Sequence, residues 1–243
     1  MNEKMFSFIT KTWNPIAGGC FIEDGEIYAC PYRCSYCWAR SLINMWKGGN
    51  LGKKYSGPYR IHERVINQRF KPGEFVAVQF MSDIGAPDIR SEIVDRVLDA
   101  IWGQPDVHFL LLTKSDQFYL RYMDDIPINC VCGVTVETDL YIPKDMSNAP
   151  QPDKRLDSLV WLKYYYPKTR TFISIEPIMP FSNNLARMIE KAEPWMVAVG
   201  YDNYDNKMPE PRKIDTEILI SQLQKFTLVN VKTIRNAWWE PQI

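Results

Sequence analysis

The chain has 243 residues, 46% of them hydrophobic, enough for a full core and most simply one domain spanning 1–243. Its 29 basic residues balance 29 acidic ones, which excludes a polyanion binder working by bulk charge and leaves only local patches. No apolar run approaches bilayer-spanning length, so no membrane partner is expected, and six cysteines without an export signal point to a reducing cytoplasm.

In chain order, the alternating apolar residues Phe6 to Ile9 are expected as a first strand. Thr12-Trp13-Asn14-Pro15 and Gly18-Gly19 form a turn-rich lead into Cys20, with a tight turn predicted at Asp24-Gly25. Cys30-Pro31-Tyr32-Arg33-Cys34-Ser35-Tyr36-Cys37 follows, and Trp38 to Trp46 reads as a helix that leaves this loop and stops at Gly48-Gly49. Lys47 to Lys71 carries Lys47, Lys53, Lys54, Arg60, Arg64, Arg69 and Lys71 against Glu63 alone, interleaved with Trp46, Tyr55 and Tyr59. Cations spaced by aromatics suit phosphates and stacked bases, which makes Lys53, Lys54, Tyr55, Tyr59 and Arg60 candidate substrate-binding residues and nucleic acid a candidate partner. A merely solvated basic face is the competing reading.

A regular alternation fills the rest. Apolar runs at Phe75–Phe80, Val107–Leu112, Cys130–Val136, Thr171–Ile175 and Trp195–Val199 alternate with helical patterns at Ile89–Trp102, Gln117–Met123, Leu156–Tyr166, Asn184–Lys191 and Thr216–Lys225. Fully apolar strands between helices mean a parallel sheet covered on its outer face. With Phe6–Ile9 there are six such strands, so the expected fold is α/β: a partial (β/α)6 barrel with an N-terminal cluster-binding loop. The loop would take about 12–40, the barrel about 41–226, and a tail packing across it 227–243. Cys130 and Cys132, two apart on one strand face, read as core.

The cysteine loop sets the chemistry. Protein [4Fe–4S] clusters are normally held by four thiolates, and Cys30, Cys34 and Cys37 supply three in one short loop. The fourth iron is then open to a small chelator with an amino and a carboxylate group. S-adenosylmethionine (SAM) has both, and an electron from the cluster can break its sulfonium C–S bond to give a 5′-deoxyadenosyl radical. A structural zinc completed by Cys20 or His62 is the rival reading, although paired C-x2-C spacings would suit it better. A disulfide framework fits neither the length nor the compartment.

In βα barrels, chemistry sits at the C-terminal ends of the strands. Those ends read Ser82-Asp83, Thr113-Lys114, Thr135 with Glu137, Glu176-Pro177, and Gly200 with Asp202. Helix capping explains one or two of these, not a lysine and several carboxylates on one rim. Lys114 suits the SAM carboxylate and Ser82 with Asp83 its ammonium. Gly200 would let backbone approach the adenine or ribose closely. Tyr36, Glu137 and Glu176 complete the expected cofactor site.

Cys30-x3-Cys34-x-Tyr36-Cys37 resembles the signature of the radical SAM enzymes. Thr12-Trp13-Asn14-Pro15, Phe80-Met81-Ser82-Asp83, Leu111-Leu112-Thr113-Lys114, Gly133-Val134-Thr135-Val136-Glu137 and Ser174-Ile175-Glu176-Pro177 follow in order. Together they resemble a small phage- and prokaryote-associated radical SAM family of unassigned function near spore photoproduct lyase. The resemblance covers nearly the whole chain. It implies a partial barrel, one [4Fe–4S] cluster, SAM cleavage with hydrogen abstraction from a substrate, and a one-electron donor such as flavodoxin or ferredoxin. It also implies that Ser82, Asp83 and Lys114 hold the methionine moiety. The hydrogen-donating cysteine of the lyase is matched here by Phe80, which speaks against lesion reversal by the lyase route. Relatives with a cysteine after the Asn-Pro turn make Cys20 an alternative ligand to Cys30. Nucleic acid or nucleotide leads as substrate, with a small metabolite or peptide next and a non-catalytic zinc or Fe–S protein as the alternative.

Overall fold

The structure, a computed structural model, describes residues 6–23, 26–45 and 49–241. The turn expected at Asp24-Gly25 lies outside these residues, as do Trp46, Lys47 and Gly48 at the head of the basic segment. The chain opens with β1 (Lys11–Trp13), β2 (Ile16–Ala17) and a hairpin of β3 (Phe21–Glu23) and β4 (Glu26–Tyr28). After the cysteine loop come α1 (Trp38–Met45), α2 (Asn50–Tyr55), β5 (Arg60–Ile61), which pairs with β2, and α3 (Glu63–Ile66). Then strand and helix alternate: β6 (Phe75–Val78), α4 (Ser91–Trp102), β7 (His108–Thr113), α5 (Phe118–Tyr122), β8 (Cys130–Thr135) and α6 (Pro152–Tyr165). The series ends with β9 (Arg170–Ile175), α7 (Leu185–Glu190), β10 (Met196–Val199), α8 (Lys213–Leu223) and β11 (Leu228–Val231).

Seven strands form one sheet in the order β1-β6-β7-β8-β9-β10-β11, every neighbouring pair parallel. The sheet curls into a partial barrel, as the pattern of buried strands predicts. Alternation along each strand splits the core in two. Cys130, Cys132 and Val134 of β8 face outward into the helix layer with Val76, Leu111 and Ile173. Between them Val131 points inward with Leu110, Phe172 and Ala198. Both strand cysteines are core residues, as expected.

Two elements differ from expectation, both at the sheet's edges. Phe6 to Ile9 is not a strand; β1 begins at Lys11. Phe6 and Phe8 instead plug the barrel interior, their rings 4.8 and 5.6 Å from Phe172, so the apolar alternation reflects interior packing and not sheet pairing. The expected tail supplies a seventh strand, β11, with Leu228 opposite Met196 and Val231 opposite Val199. It is an edge strand of exposed and half-buried residues, so it lacks the apolar run that marks a central strand.

The lead into the cysteine loop is fixed by close backbone contact. Gly19 has φ +88°, and a Cβ there would stand 2.0 Å from the ring of buried Tyr59. Gly57 has a similar φ of +77° with open space around it. Gly57→Ala should therefore cost only the left-handed backbone, about 1–2 kcal/mol. Gly19→Ala adds a clash worth about 1–3 kcal/mol more. Denaturant unfolding of the two variants compares them directly, and equal losses would contradict the Tyr59 packing.

Candidate functional site

Two tight turns shape the cysteine loop: Arg33 N–H donates to Cys30 O at 3.2 Å, with Arg33 at φ 49°, and Cys37 N–H donates to Cys34 O at 3.1 Å. The loop between β8 and α6 clamps it from one side. Ser35 N–H donates to Met146 O at 2.9 Å, Asn148 N–H donates to Tyr32 O at 2.7 Å, and Cys34 Sγ lies 3.1 Å from Ser147 Oγ. Tyr32 Oη donates to Gly85 O at 3.0 Å, tying the loop to the segment after β6.

Cys30, Cys34 and Cys37, all free thiols, line one cavity of about 700 Å³. Tyr36, Ser82, Asp83, Lys114 and Glu176 line the same cavity, so the ends of β6, β7 and β9 meet the cysteine loop. Burial and the neighbouring thiols push Cys30 well up, and burial with Cys34 pushes Cys37 up to about 11. Crowded thiols raised in this way, as Cys30 and Cys37 are, become thiolates only against a positive centre. Asp83 is held by Thr113 Oγ1 at 2.5 Å, Lys114 N–H at 2.7 Å and Gly85 N–H at 2.8 Å. Burial still leaves its carboxyl above the usual range.

Behind the cavity lies Glu137, fully buried. Its Oε1 accepts from Tyr36 Oη at 2.6 Å and from Lys114 Nζ, and its Oε2 accepts from Arg155 Nη1 at 2.7 Å. Lys114 also stands 5.1 Å over the Tyr36 ring. An ammonium has three donors, and one is committed to Glu137, so Lys114 is oriented by this bond with donors left for the cavity it lines.

Glu137 is thus in the hub behind the cavity and not in its lining, and Gly200 also lies outside the lining. A Cβ on Gly200 would meet Glu176 Oε1 at 2.9 Å, so the close approach this glycine permits is to the Glu176 carboxylate. Cys20 and His62 line no part of the cavity. Cys20 Sγ faces Ala29 O at 3.8 Å in a small cluster with Tyr55 and Met81, against which Cys37 packs. Among the described residues no group of three or more Cys, His, Asp and Glu side chains could hold a single metal ion.

Among the described residues of the basic segment none lines the cavity, and its expected stacking platform is corrected. Tyr55 and Tyr59 are buried, at 2% and 8% exposure, because their rings fill the space beside Met81 and Gly19 and have no free face for a base. Arg60 donates to the carbonyls of Ser56 and Lys54 at 2.9 and 3.1 Å, closing the end of α2. Lys54 donates to Asn14 O at 3.1 Å, and burial lowers its pKa. Lys53 is exposed.

Three residues of the site escaped sequence reasoning. Gln79, at φ 56°, brackets Ile16 through both its amide atoms and donates to Ser82 Oγ at 2.8 Å; its unusual backbone leaves no trace in sequence. Lys232, just past β11, pairs with Glu176 at 2.9 Å and lines the cavity. Arg155 sits in the first turn of α6 among charged neighbours, where it reads as solvated.

Residues 3–200 match the family described as a protein of unknown function, DUF5131. No curated protein sequence matches significantly. Among solved structures, a spore photoproduct lyase variant with bound AdoMet and dinucleoside spore photoproduct is similar, with a TM-score of 0.62 at 12% identity, covering 94% of this chain and 79% of its own. Streptococcus suis SuiB bound to S-adenosylmethionine is similar with a TM-score of 0.53 at 10% identity. There the match covers 95% of this chain but spans only about half, 52%, of SuiB. SuiB bound to its precursor peptide SuiA gives a TM-score of 0.50 at 12% identity, covering 95% of this chain and 50% of that one. These likenesses show the fold. Among the described residues no helix is long and apolar enough to cross a membrane.

Burial alone would raise the Glu137 carboxyl, but the charges of Arg155 and Lys114, with hydrogen bonds from Lys114 and Tyr36, hold it down at about 2 against an ordinary 4.5. A depressed carboxyl contributes stability that is complete above its unfolded pKa and lost as pH falls toward the folded value, about 1.4 kcal/mol per unit. The protein should therefore lose stability steeply as pH falls from about 4.5 to about 2. Denaturant midpoints across that window should be flatter for Glu137→Gln. An equally steep variant would show that Glu137 does not titrate there.

Proposed function

The chain belongs to the DUF5131 family, and we propose that it is a radical SAM enzyme whose Cys30, Cys34 and Cys37 hold a [4Fe–4S] cluster and whose adjoining cavity binds SAM. One observation carries the reading: three free thiols of one short loop share a cavity with Ser82, Asp83 and Lys114 from two neighbouring strand ends. A structural zinc would need neither the lysine nor the strand-end carboxylates. A cluster takes each thiolate on a different iron, so the thiols need not converge on one point.

On this reading Lys114, oriented by Glu137, meets the methionine carboxylate, while Ser82 and Asp83 meet the ammonium. The cluster and SAM supply reductive cleavage of the sulfonium C–S bond and hydrogen abstraction from a substrate; the protein contributes placement, dryness and electrostatics. Each cleavage needs one electron from an external donor of the flavodoxin or ferredoxin kind. The remaining wall, with Glu176, Lys232, Asp202, Asn203 and Tyr204, is left for substrate. Nucleic acid or nucleotide leads as substrate class, supported by the dinucleoside held in a lyase of the same fold. A peptide, as bound by SuiB, is the second reading. Either would enter at this wall and not on the buried Tyr55 and Tyr59 rings.

Anaerobic reconstitution should load about four irons per chain, and added reductant with SAM should release methionine and 5′-deoxyadenosine. Cys30→Ala, Cys34→Ala or Cys37→Ala should each abolish the cluster, whereas Cys20→Ala should spare it. Stoichiometric zinc with no stable cluster would overturn the reading. Lys114→Ala removes a charge-assisted bond worth about 1.5–3 kcal/mol, so SAM affinity should fall roughly ten- to a hundredfold with iron content unchanged. Unchanged affinity, read by equilibrium dialysis, would remove Lys114 from the site.

A further inference from the structure

Arg155 has a fully buried side chain and no role in the proposed chemistry so far. Its Nε donates to Pro150 O at 2.6 Å, and its Nη1 donates to Thr135 O at 2.9 Å and to Glu137 Oε2 at 2.7 Å. Nη2 is buried with no partner. An unsatisfied buried donor costs about 1–3 kcal/mol, more when charged, so this nitrogen is left with charge that no group of the chain meets by a hydrogen bond. Two short paths lead from Arg155 to Cys34. Pro150 ends the segment whose Ser147 hydroxyl lies 3.1 Å from Cys34 Sγ. On the other side, Glu137 accepts from Tyr36, two residues past Cys34, at 2.6 Å.

Arg155, Lys114 and Glu137 together carry one net positive charge in a buried setting. We propose that Arg155 is the buried counter-charge of the cluster: a residue joined to the cysteine loop through the Ser147–Pro150 segment and through Glu137 and Tyr36, which favours the one-electron-reduced state. This rests on the cysteines being cluster ligands. Reduction adds one negative charge and moves no atom, and a fixed cation in low dielectric stabilises the more negative state. Surrounding charges and hydrogen bonds set the potentials of such clusters in this way.

The test is the midpoint potential of the reconstituted protein, titrated with dithionite as one-electron source and followed by EPR, with iron counted in each sample. Arg155→Gln should keep its iron while the reduced-to-oxidised ratio at fixed potential falls about tenfold, a shift of 59 mV to more negative values for one electron. Glu137→Gln removes the opposing charge and should shift the midpoint the other way, a reversal that a merely loosened loop would not give. An unmoved midpoint in Arg155→Gln, or shifts of one sign in both variants, overturns the inference. Should Arg155→Gln fail to fold, Glu137→Gln decides alone: an unmoved or more negative midpoint overturns it. A wild-type chain that takes up no cluster overturns the cysteine reading and this inference with it. A loaded wild type with unmoved variants overturns this inference only.

Discussion

The site depends on one buried carboxylate. Glu137 has no access to water and is held by two cations and a phenol: Lys114, Arg155 and Tyr36. Each partner comes from a different part of the chain. Tyr36 belongs to the cysteine loop, Lys114 to the end of β7, and Arg155 to the first turn of α6. Buried charge of this kind is weak evidence for stability, because well-packed apolar residues of similar volume do as well or better. It does fix geometry. With Glu137 in place, the cysteine loop cannot shift without breaking Tyr36 from the carboxylate, and Lys114 cannot swing without leaving its partner. The hub joins the place where thiols gather to the place where a cation faces the cavity. A coupling of that sort suits a cofactor pair better than a structural metal.

The sheet explains why these groups meet. Parallel strands put their C-terminal ends on one rim, so residues far apart in sequence share a cavity. Asp83 after β6 accepts from Thr113 at the end of β7 and from the Lys114 amide just beyond. The interior below is apolar and filled by Phe6, Leu110, Val131 and Phe172, which leaves polar chemistry only at the rim. Phe6 bridges the two zones, packing against Phe172 while lining the cavity.

Central features were legible in the sequence because each carries a periodic or composed signal. The runs around Val76, Leu110, Val131, Ile173 and Val197 are apolar on both faces, as a covered parallel sheet requires. The cysteine spacing and the polar residues after each run could be read directly. The edges could not. Phe6 to Ile9 alternates like a strand because it plugs a barrel, and Leu228 to Val231 is mixed because one side of an edge strand meets solvent. The basic segment misled for a different reason. Composition reports charge and aromatic content, whereas burial of Tyr55 and Tyr59 depends on contacts with Gly19, Cys20 and Met81 that come from other segments. Arg155 was invisible for the same reason: its burial arises from the loop after β8 folding back over the cysteine loop.

The cavity has two walls of different origin. The cysteines, Ser82, Asp83, Lys114 and Glu176 all fall within residues 3–200, the span of the family match. Tyr201, Asp202, Asn203, Tyr204 and Lys232, which close the other side, fall beyond it. That second wall is braced and not loose. Arg235 grips Glu210 through both carboxylate oxygens at 2.7 and 2.8 Å and donates to Asp202 O at 3.0 Å. Trp238 and Trp239 donate to the Met208 and Glu210 carbonyls at 2.7 and 3.0 Å. Met208 in turn packs against Tyr32, Cys34 and Tyr36. The bracing therefore runs from the C-terminal tail, through the loop after β10, to the back of the cysteine loop. A wall fixed at both ends can hold a substrate at a set distance from a reactive centre, where small misplacements are costly in rate. The two walls are in this way built from separate stretches of chain and joined by packing on the same loop.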